Sequence, residues 1–470
     1  MASRHSEATR QADDAFFGHP RGLGWLSFSE FWERFSYYGM QALLVLYMTQ
    51  QLLLPGHVEN VLGFGPFRAT LESIYGPMSP VALASVIFGL YAGLVYVTPI
   101  LGGLLADRLL GRTRTVITGA SLMATGHFLM AFDASFLVAL SCLLLGAGCF
   151  KANIASQVGD LYAAGDPRRG KAFQIYLLGI QLAVIFSPLV CGTLGEVYGW
   201  HLGFGAAGVG MVFGLLIYLA GVRWLPPEPV HRFAIDAARP RLAPGDGALI
   251  ALLLALLPVL ALTQASNLQL FNAFLIWAKS NVQLEYFGRT MPVTWILSMG
   301  SVVSASSIGL SLLFWRWWSR RRVEPDEITK IALGAALLAA APLLLASASA
   351  FVAATGQKAS LLWILAQEIV NDLGFANLFP VAMALYARAA PKPVSGLMMG
   401  LFFTHLFAAN MLVGWLGGLY ERMPAASFWV MHAGIVAVAA VILLLVRGVV
   451  SRALRHEVVA GGTMQAPAAG

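Results

Sequence analysis

The stretch with the greatest capacity for chemistry is residues 29–41, where two carboxyl groups, a guanidinium, two phenols and an amide recur at helical spacing. The six side chains that share one helix face, within an arc of roughly 140°, are Glu30, Glu33, Arg34, Tyr37, Tyr38 and Gln41. An apolar run follows as far as Met48, so the stretch opens a long hydrophobic helix. Ionisable groups in such a helix are costly and usually face a bundle interior or a water-filled path. Snorkelling at an interfacial helix end would explain Glu30, but not six polar groups in register.

The composition places this helix among many in a membrane. Hydrophobic residues make up 58% of the chain and charged residues only 11%, whereas soluble domains carry about 25% charged residues. At about 20 apolar residues per crossing, the repeated apolar runs predict around a dozen spans and an all-α integral membrane fold. The three cysteines, Cys142, Cys149 and Cys191, lie in apolar runs without partner ligands, so neither a disulfide framework nor a metal site is expected.

The distribution of basic residues sets the predicted orientation. Of the 30 Lys and Arg residues, 23 fall in predicted inner segments and 5 in outer loops, which follows the positive-inside rule. Both termini are therefore expected in the cytoplasm. Residues 1–21 lack an apolar core, so no cleavable signal peptide is expected there. Because the basic residues follow the predicted topology, the net charge of +7 does not indicate nucleic-acid binding. The twelve predicted spans are 25–50, 81–106, 114–132, 135–157, 171–195, 202–224, 247–278, 291–315, 329–353, 361–386, 394–419 and 427–448.

A polar, proline-rich segment at 225–246 divides the predicted spans six and six. The sequence therefore predicts an N-terminal six-helix bundle at 1–224, a cytoplasmic linker at 225–246, and a C-terminal six-helix bundle with a short cytoplasmic tail at 247–470. Two such halves resemble the major facilitator plan, in which one half rocks against the other around a midplane site.

A lone ammonium, Lys151, stands inside the fourth apolar span. Its expected partners are Glu30 or Glu33, either in a functional site or in a buried structural ion pair. Desolvation favours the neutral form of a carboxyl group, whereas a nearby cation favours the carboxylate. Small movements of the cations could therefore switch a glutamate between taking up and releasing a proton. We expect Glu33 to carry the proton, Glu30 and Arg34 to tune it, and Lys151 to act as the gating cation.

The loop between the second and third spans has the pattern Gly102-Gly-Leu-Leu-Ala-Asp-Arg-Leu-Leu-Gly-Arg-Thr-Arg114 and resembles a loop found across the major facilitators. Its glycines permit a tight turn, and Asp107, Arg108 and Arg112 could pair with helix ends as a cytoplasmic latch. The alternative is a basic loop that only sets topology.

The motif Glu-x-x-Glu-Arg-Phe-Ser-Tyr-Tyr-Gly at 30–39 resembles the first-helix signature of the proton-dependent oligopeptide transporters, a branch of the major facilitators. The Phe-Lys-x-Asn element at 150–153 and the stretch 391–400 also match that family. The resemblance implies proton-coupled transport by alternating access. Many bacterial relatives insert two further helices between the halves, and 225–246 is too short to supply them.

The cargo site that the resemblance implies is altered in this sequence. Gln41 stands at the first-helix Arg position, Gln181 at a fifth-helix Asn position, and Phe375 at the tenth-helix Glu that would hold the amino end of a peptide. Glu368 and Asp372 lie on the same span and could replace that acid. The cavity residues expected from these considerations are Tyr37, Tyr38, Gln41, Tyr96, Asn153, Tyr176, Gln181, Gln264, Asp372 and Phe375.

The charged cluster and the family resemblance together imply a proton-coupled symporter of di- and tripeptides or peptide-like metabolites, and the resemblance implies a bacterial inner membrane. The alternative is an importer or exporter of the same fold for a non-peptide organic metabolite, such as a siderophore or an amino-acid conjugate. An enzyme or sensor is not expected, because no nucleophile–base pair, nucleotide loop or signalling domain is visible. The expected partners are a small cargo and the lipid bilayer, the expected state is a monomer, and no cofactor besides the coupling proton is expected.

Overall fold

The computed structural model describes residues 15–163, 165–226, 242 and 245–462, with side chains as far as residue 452. It is almost wholly helical. Most of the predicted linker at 225–246 lies outside the described residues. The helices of its first part are α1 (Arg21–Tyr47), α2 (Phe64–Tyr75), α3 (Pro80–Leu94), α4 (Thr98–Leu105), α5 (Arg112–Leu129), α6 (Phe136–Asp160), α7 (Arg168–Ser187) and α8 (Trp200–Gly221).

The remaining helices follow the linker region, with one short antiparallel hairpin between the second and third of them. They are α9 (Asp246–Thr263), α10 (Ala273–Asn281), α11 (Trp295–Ser319), α12 (Glu327–Thr355), α13 (Leu361–Ala389), α14 (Ser395–Gly417) and α15 (Ala425–Gly462), with strands β1 (Glu285–Tyr286) and β2 (Arg289–Thr290). In the hairpin, Glu285 pairs with Thr290 and Tyr286 with Arg289.

Ten of the described helical stretches are long and apolar enough to cross a membrane. They coincide with ten of the predicted spans. The other two predicted spans, 25–50 and 114–132, correspond to α1 and α5, whose charged and polar residues lower their hydropathy. The all-helical membrane fold is therefore confirmed, while the count of twelve spans stays a prediction.

The chain forms two compact units, the first comprising the described residues up to 226 together with Leu284–Ser301. In this unit α1 packs against α7 and α8, and α6 packs against α4 and α5. Glycine permits the closest of these crossings: a Cβ on Gly102 would lie 2.1 Å from the carbonyl oxygen of Gly148. Such close helix contacts are typical of membrane bundles, where small residues let backbones approach.

The second unit comprises the other described residues, 242–283 and those from Val302 onward. Here α12 packs against α13 and α15, while α9 packs against α14 and α15. Its buried core is aliphatic, with Leu253, Leu338 and Leu443 at or near zero exposure. Gly334 and Gly374 bring α12 and α13 together, since a Cβ on either would lie within 3 Å of the other's carbonyl oxygen.

Candidate functional site

Helix α1 carries the charged residues of the site and is fixed against α8 by two side-chain hydrogen bonds. Ser29 Oγ donates to the carbonyl of Gly214 at 2.9 Å, and Ser36 Oγ donates to the carbonyl of Ala207 at 2.7 Å. The face between these serines is consequently turned inward. Glu33 is fully buried, and Glu30 and Arg34 are 3% and 5% exposed.

The three charged side chains form one cluster centred on the guanidinium. Arg34 Nε donates to Glu30 Oε1 at 2.9 Å and lies 2.5 Å from Glu33 Oε2. The second contact is an ion pair without hydrogen-bond geometry. Neither carboxylate oxygen of Glu33, nor Oε2 of Glu30, has a hydrogen-bond partner among the described residues. The cluster thus holds two carboxyl groups against one guanidinium, with open acceptor positions in a buried place.

Lys151, on α6, approaches the cluster through aromatic rings. Its Nζ lies 4.6 Å from the ring centre of Tyr37 and 5.8 Å from that of Tyr96, while the Arg34 guanidinium lies 5.5 Å from the same Tyr37 ring. In the described part of the chain no carboxylate lies within 4.0 Å of Lys151. The predicted partners Glu30 and Glu33 interact with Lys151 electrostatically, but without a direct ion pair, because Arg34 already contacts both carboxyl groups and the Tyr37 ring offers the ammonium its negative face.

The other predicted cavity residues of the first unit differ in their burial and in their hydrogen bonding. Tyr38 and Tyr176 lie near Arg34 and Glu30, Gln41 is buried, and Gln181 and Tyr96 are half-buried. Asn153 is committed to the backbone, since its Nδ2 donates to the carbonyls of Cys149 (2.8 Å) and Gly102 (3.3 Å). The bond to Gly102 joins α6 to α4, which is a structural use of the amide.

The second unit contains a polar network on the N-terminal half of α13. Asn371 Nδ2 donates to Asn267 Oδ1 at 2.8 Å, and Asn267 Nδ2 reaches Gln264 Oε1 at 3.5 Å. Two carboxyl groups, Glu368 and Asp372, lie one turn apart beside this network and are 2% and 6% exposed. Asp372 Oδ2 and Gln264 Nε2 are buried without hydrogen-bond partners in the described residues. This network fits a polar ligand or a proton better than it fits core packing.

Phe375 belongs to an aromatic group rather than to that network. Its ring stacks on Phe379 at 5.2 Å, and Phe379 contacts Phe402 and His405. His405 is buried and its Nδ1 bonds to the carbonyl of Phe402. Phe375 offers an apolar wall where the family's tenth-helix position carries an acid.

The predicted latch residues lie at the junction between α4 and α5. Arg112 pairs with Asp160 at the end of α6. Asp107 and Arg108 are exposed on the turn of π-helix at Ala106–Leu110, which ends at Gly111 with φ of 76°. The observed pair ties α5 to α6, and the latch role stays a prediction.

Two polar groupings were not predicted as sites from the sequence. One is the extension of the polar network from the predicted Gln264 and Asp372 to Asn267, which joins Gln264 to Asn371. The other lies at the opposite end of α1, where Asp133 accepts from Tyr47 Oη at 2.6 Å and contacts His57 Nδ1 at 2.6 Å. The partners are 76 and 86 residues from Asp133, so no local pattern could reveal them.

These features define a helical, multi-pass membrane transporter with buried charges inside its bundle. A POT family model matches residues 113–235. An uncharacterized transporter of Bacillus subtilis, YclF, is 30% identical over 97% of this chain and 99% of its own length. A di-/tripeptide transporter of Lactococcus lactis is 28% identical over 93% and 97%. The crystal structure of a peptide transporter POT in complex with sulfate has a TM-score of 0.77 at 26% identity, covering 94% of this chain and 99% of that one.

The chain belongs to the POT family. The family resemblance expected from residues 30–39 is confirmed, and the protein is a transporter rather than an enzyme.

Proposed function

We propose that the protein is a proton-coupled symporter that carries di- and tripeptides, or peptide-like metabolites, by alternating access. The di-/tripeptide transporters among its relatives support the cargo class. In this proposal the chain is a monomer with twelve spans, no extra helix pair between its halves, and both termini on the cytoplasmic side of the inner membrane.

One observation carries the proposal: Arg34 is shared between two buried carboxyl groups, and Glu33 keeps an unpartnered oxygen. A buried carboxylate without full pairing is costly, and uptake of a proton removes that cost. When Glu33 takes a proton on Oε1, the guanidinium of Arg34 is left to pair with Glu30 alone. Proton binding thereby changes the charge and the contacts of α1, which is the differential interaction that coupling requires.

The remaining charged group completes the proposed relay. Lys151 lies against Tyr37, whose ring is also approached by Arg34. We assign Lys151 the role of a gating cation that responds to the protonation of Glu33. Cargo contacts in the first unit are assigned to Tyr37, Tyr38, Gln41, Tyr96, Tyr176 and Gln181, while Asn153, predicted with them, keeps its structural bonds to the backbone. Those in the second unit are assigned to Gln264, Asp372 and Phe375.

Uptake into proteoliposomes tests the proposal. Labelled dialanine should accumulate under an inward proton gradient, and Glu33→Gln should abolish gradient-driven accumulation. Glu59→Gln, an equal change at an exposed outer-loop carboxylate, should behave as wild type. Dialanine accumulation that ignores the gradient, or that survives in Glu33→Gln, would refute the coupling role.

A second candidate is a transporter of the same fold for a non-peptide organic metabolite. It is favoured by Phe375, which places a stacked aromatic ring where the peptide-binding pattern has a glutamate. A competition panel separates the two cargo classes. If peptides are the cargo, unlabelled tripeptides should displace labelled dialanine. If the cargo is a non-peptide metabolite, amino-acid conjugates or siderophores should bind and tripeptides should not.

A further inference from the structure

The first unit has a cavity of about 710 Å³ where the N-terminal end of α1 lies beside the C-terminal end of α8. Its lining combines two arginines with large aromatic residues, namely Phe16, Arg21, Trp25, Phe28, Arg223 and Trp224. Both guanidiniums lie over the same indole, with Arg21 Cζ 4.7 Å and Arg223 Cζ 5.4 Å from the Trp224 ring. Both arginines are exposed, as is Phe28. The cavity therefore has a basic entrance and aromatic walls, a combination typical of a membrane–water interface.

A separate apolar groove lies farther along the same two helices, with Phe186 of α7 also in its wall. Its volume is about 580 Å³, and its walls include Phe31, Trp32 and Phe35 of α1 and Val209 and Phe213 of α8. Trp32 contacts Phe213 at 5.3 Å. The walls are carbon almost throughout, so the groove suits a hydrocarbon chain.

Glycines on α8 let the aromatic rings of α1 approach its backbone closely at this helix pair. A Cβ on Gly221 would lie 2.4 Å from Trp25 Cβ, and one on Gly210 would lie 2.8 Å from the Phe35 ring. Trp25 and Phe35 therefore pack directly against the backbone of α8, and a larger residue at either glycine would push the two helices apart. From Arg21 to Phe35 the helix rises about 21 Å at 1.5 Å per residue, which is close to the depth of one leaflet with its headgroups, about 20 Å.

We propose that the α1–α8 groove binds an anionic phospholipid. Its phosphate lies between Arg21 and Arg223, and one acyl chain runs along Trp32 and Phe213 toward the membrane centre. A basic pocket between helices at the inner surface matches the recognition of acidic headgroups. The positive-inside count assigns this end to the cytoplasmic leaflet. Because α1 carries Glu30, Glu33 and Arg34, the lipid contacts the helix on which proton coupling is proposed to occur. The lipid site itself does not depend on that coupling.

Native mass spectrometry of the delipidated full-length protein tests this with phosphatidylglycerol and phosphatidylethanolamine of the same acyl chains. Wild type should retain phosphatidylglycerol in preference, and Arg21→Gln/Arg223→Gln should weaken that retention roughly tenfold or more. Arg114→Gln/Arg320→Gln removes the same charge at exposed sites outside the groove and should have no effect. Equal retention in both double variants would overturn the headgroup assignment. Glycerol phosphate in excess should not compete, and effective competition would reassign the site to free phosphates.

The acyl-chain half of the site has its own test. Ala206→Phe places a ring in the groove and should lower phosphatidylglycerol retention, whereas Val138→Phe on the exposed face of α6 should not. A wild-type measurement covers the case in which variants fold poorly. Phosphatidylglycerol with a diazirine in its acyl chain should label residues 31–35 and 206–213 on irradiation. Labelling confined to other helices would overturn the proposal.

Discussion

The ammonium of Lys151 lies 4.6 Å from the ring centre of Tyr37, on a helix more than a hundred residues away in the chain. Tyr37 is 4% exposed, so this cation–π contact is made in a desolvated place. Such contacts are worth about 2 kcal/mol when water is excluded. Tyr37 thus connects the cation of α6 to the carboxyl cluster of α1.

Two substitutions of Tyr37 should distinguish the contribution of its ring from that of its hydroxyl. Tyr37→Leu removes the aromatic face that Lys151 contacts, so we expect a loss of about 2 kcal/mol of unfolding free energy and a large fall in proton-driven uptake. Tyr37→Phe keeps the face and should retain most of the stability. Thermal unfolding in detergent and uptake assays on both variants give the comparison. Equal losses would mean that the hydroxyl, rather than the ring, is what matters.

Removing the guanidinium should be far more damaging in α1 than on the surface. Arg34→Gln leaves Glu30 and Glu33 buried together, and the loss of one partner of a buried pair costs about 3–5 kcal/mol. Arg68→Gln breaks an exposed pair with Glu72 of the same 2.9 Å length and should cost under about 1 kcal/mol. The double variant Glu33→Gln/Arg34→Gln should recover part of the stability. Unfolding midpoints that agree for Arg34→Gln and Arg68→Gln would contradict the buried cluster.

The crossing of α4 and α6 should not tolerate a methyl group. In Gly102→Ala the new Cβ would lie 2.1 Å from the Gly148 carbonyl oxygen, so the helices must separate, at a cost of about 1–3 kcal/mol or more. The neighbouring Gly103→Ala is the matched control, because among the described residues no atom beyond its own stretch of helix would lie within 4 Å of the new Cβ. Melting temperatures of the two variants decide the matter, and a stable Gly102→Ala protein would be evidence against this packing.

Neutralising an acid of α13 should change cargo preference more than stability. Asp372→Asn removes one of two neighbouring buried carboxyl groups, so we expect folding to be maintained. If Asp372 receives the ammonium group of a peptide, uptake of dialanine should fall at least tenfold while N-acetylated dialanine is unaffected. Asn377→Asp places a carboxyl group at another position of the same helix, three residues before Pro380. It tests whether dialanine uptake depends on where the acid stands on α13. An equal fall for both cargoes would argue for a proton site instead.

The start of α12 should show a pH-dependent stability. Asp326 caps this helix, accepting from Thr329 N at 2.9 Å, and also accepts from Ser451. Burial acts to raise the pKa of Asp326, but the hydrogen bonds from Ser451 and Thr329 outweigh it and the pKa is lowered. A lowered pKa means that the carboxylate stabilises the fold. The contribution is complete above the ordinary aspartate pKa of about 3.9 and is lost as pH falls through the lower native value.

Asp326→Ala provides the measurement for this cap. The loss should be about 1 kcal/mol at pH 7, as for other aspartate caps, and should shrink as pH falls below the ordinary aspartate pKa of about 3.9, because the unfolded chain then takes up the proton more readily than the folded one. Unfolding midpoints of wild type and variant at several pH values supply the test. A difference that stays constant between pH 7 and pH 3 would exclude a role for the charged form.

Much of the site was predictable because helical periodicity is a local property. The spacing of Glu30, Glu33 and Arg34 places them on one face whatever the helix packs against. The apolar runs likewise specify a membrane-spanning helical fold through composition alone. The motif at 30–39 is contiguous, so family membership also follows from the sequence.

Only the tertiary structure decided which groups meet across helices. The ammonium of Lys151 contacts the ring of Tyr37 rather than a carboxylate. The side-chain amide of Asn153 donates to the carbonyls of Cys149 and Gly102. Arg21 and Arg223 flank one indole although they are far apart in the chain. The rotation and axial register of each helix depend on close contacts such as that of Gly102 with Gly148. Those contacts are set by the shapes of two surfaces together, and the periodicity of a single helix carries no information about its partner.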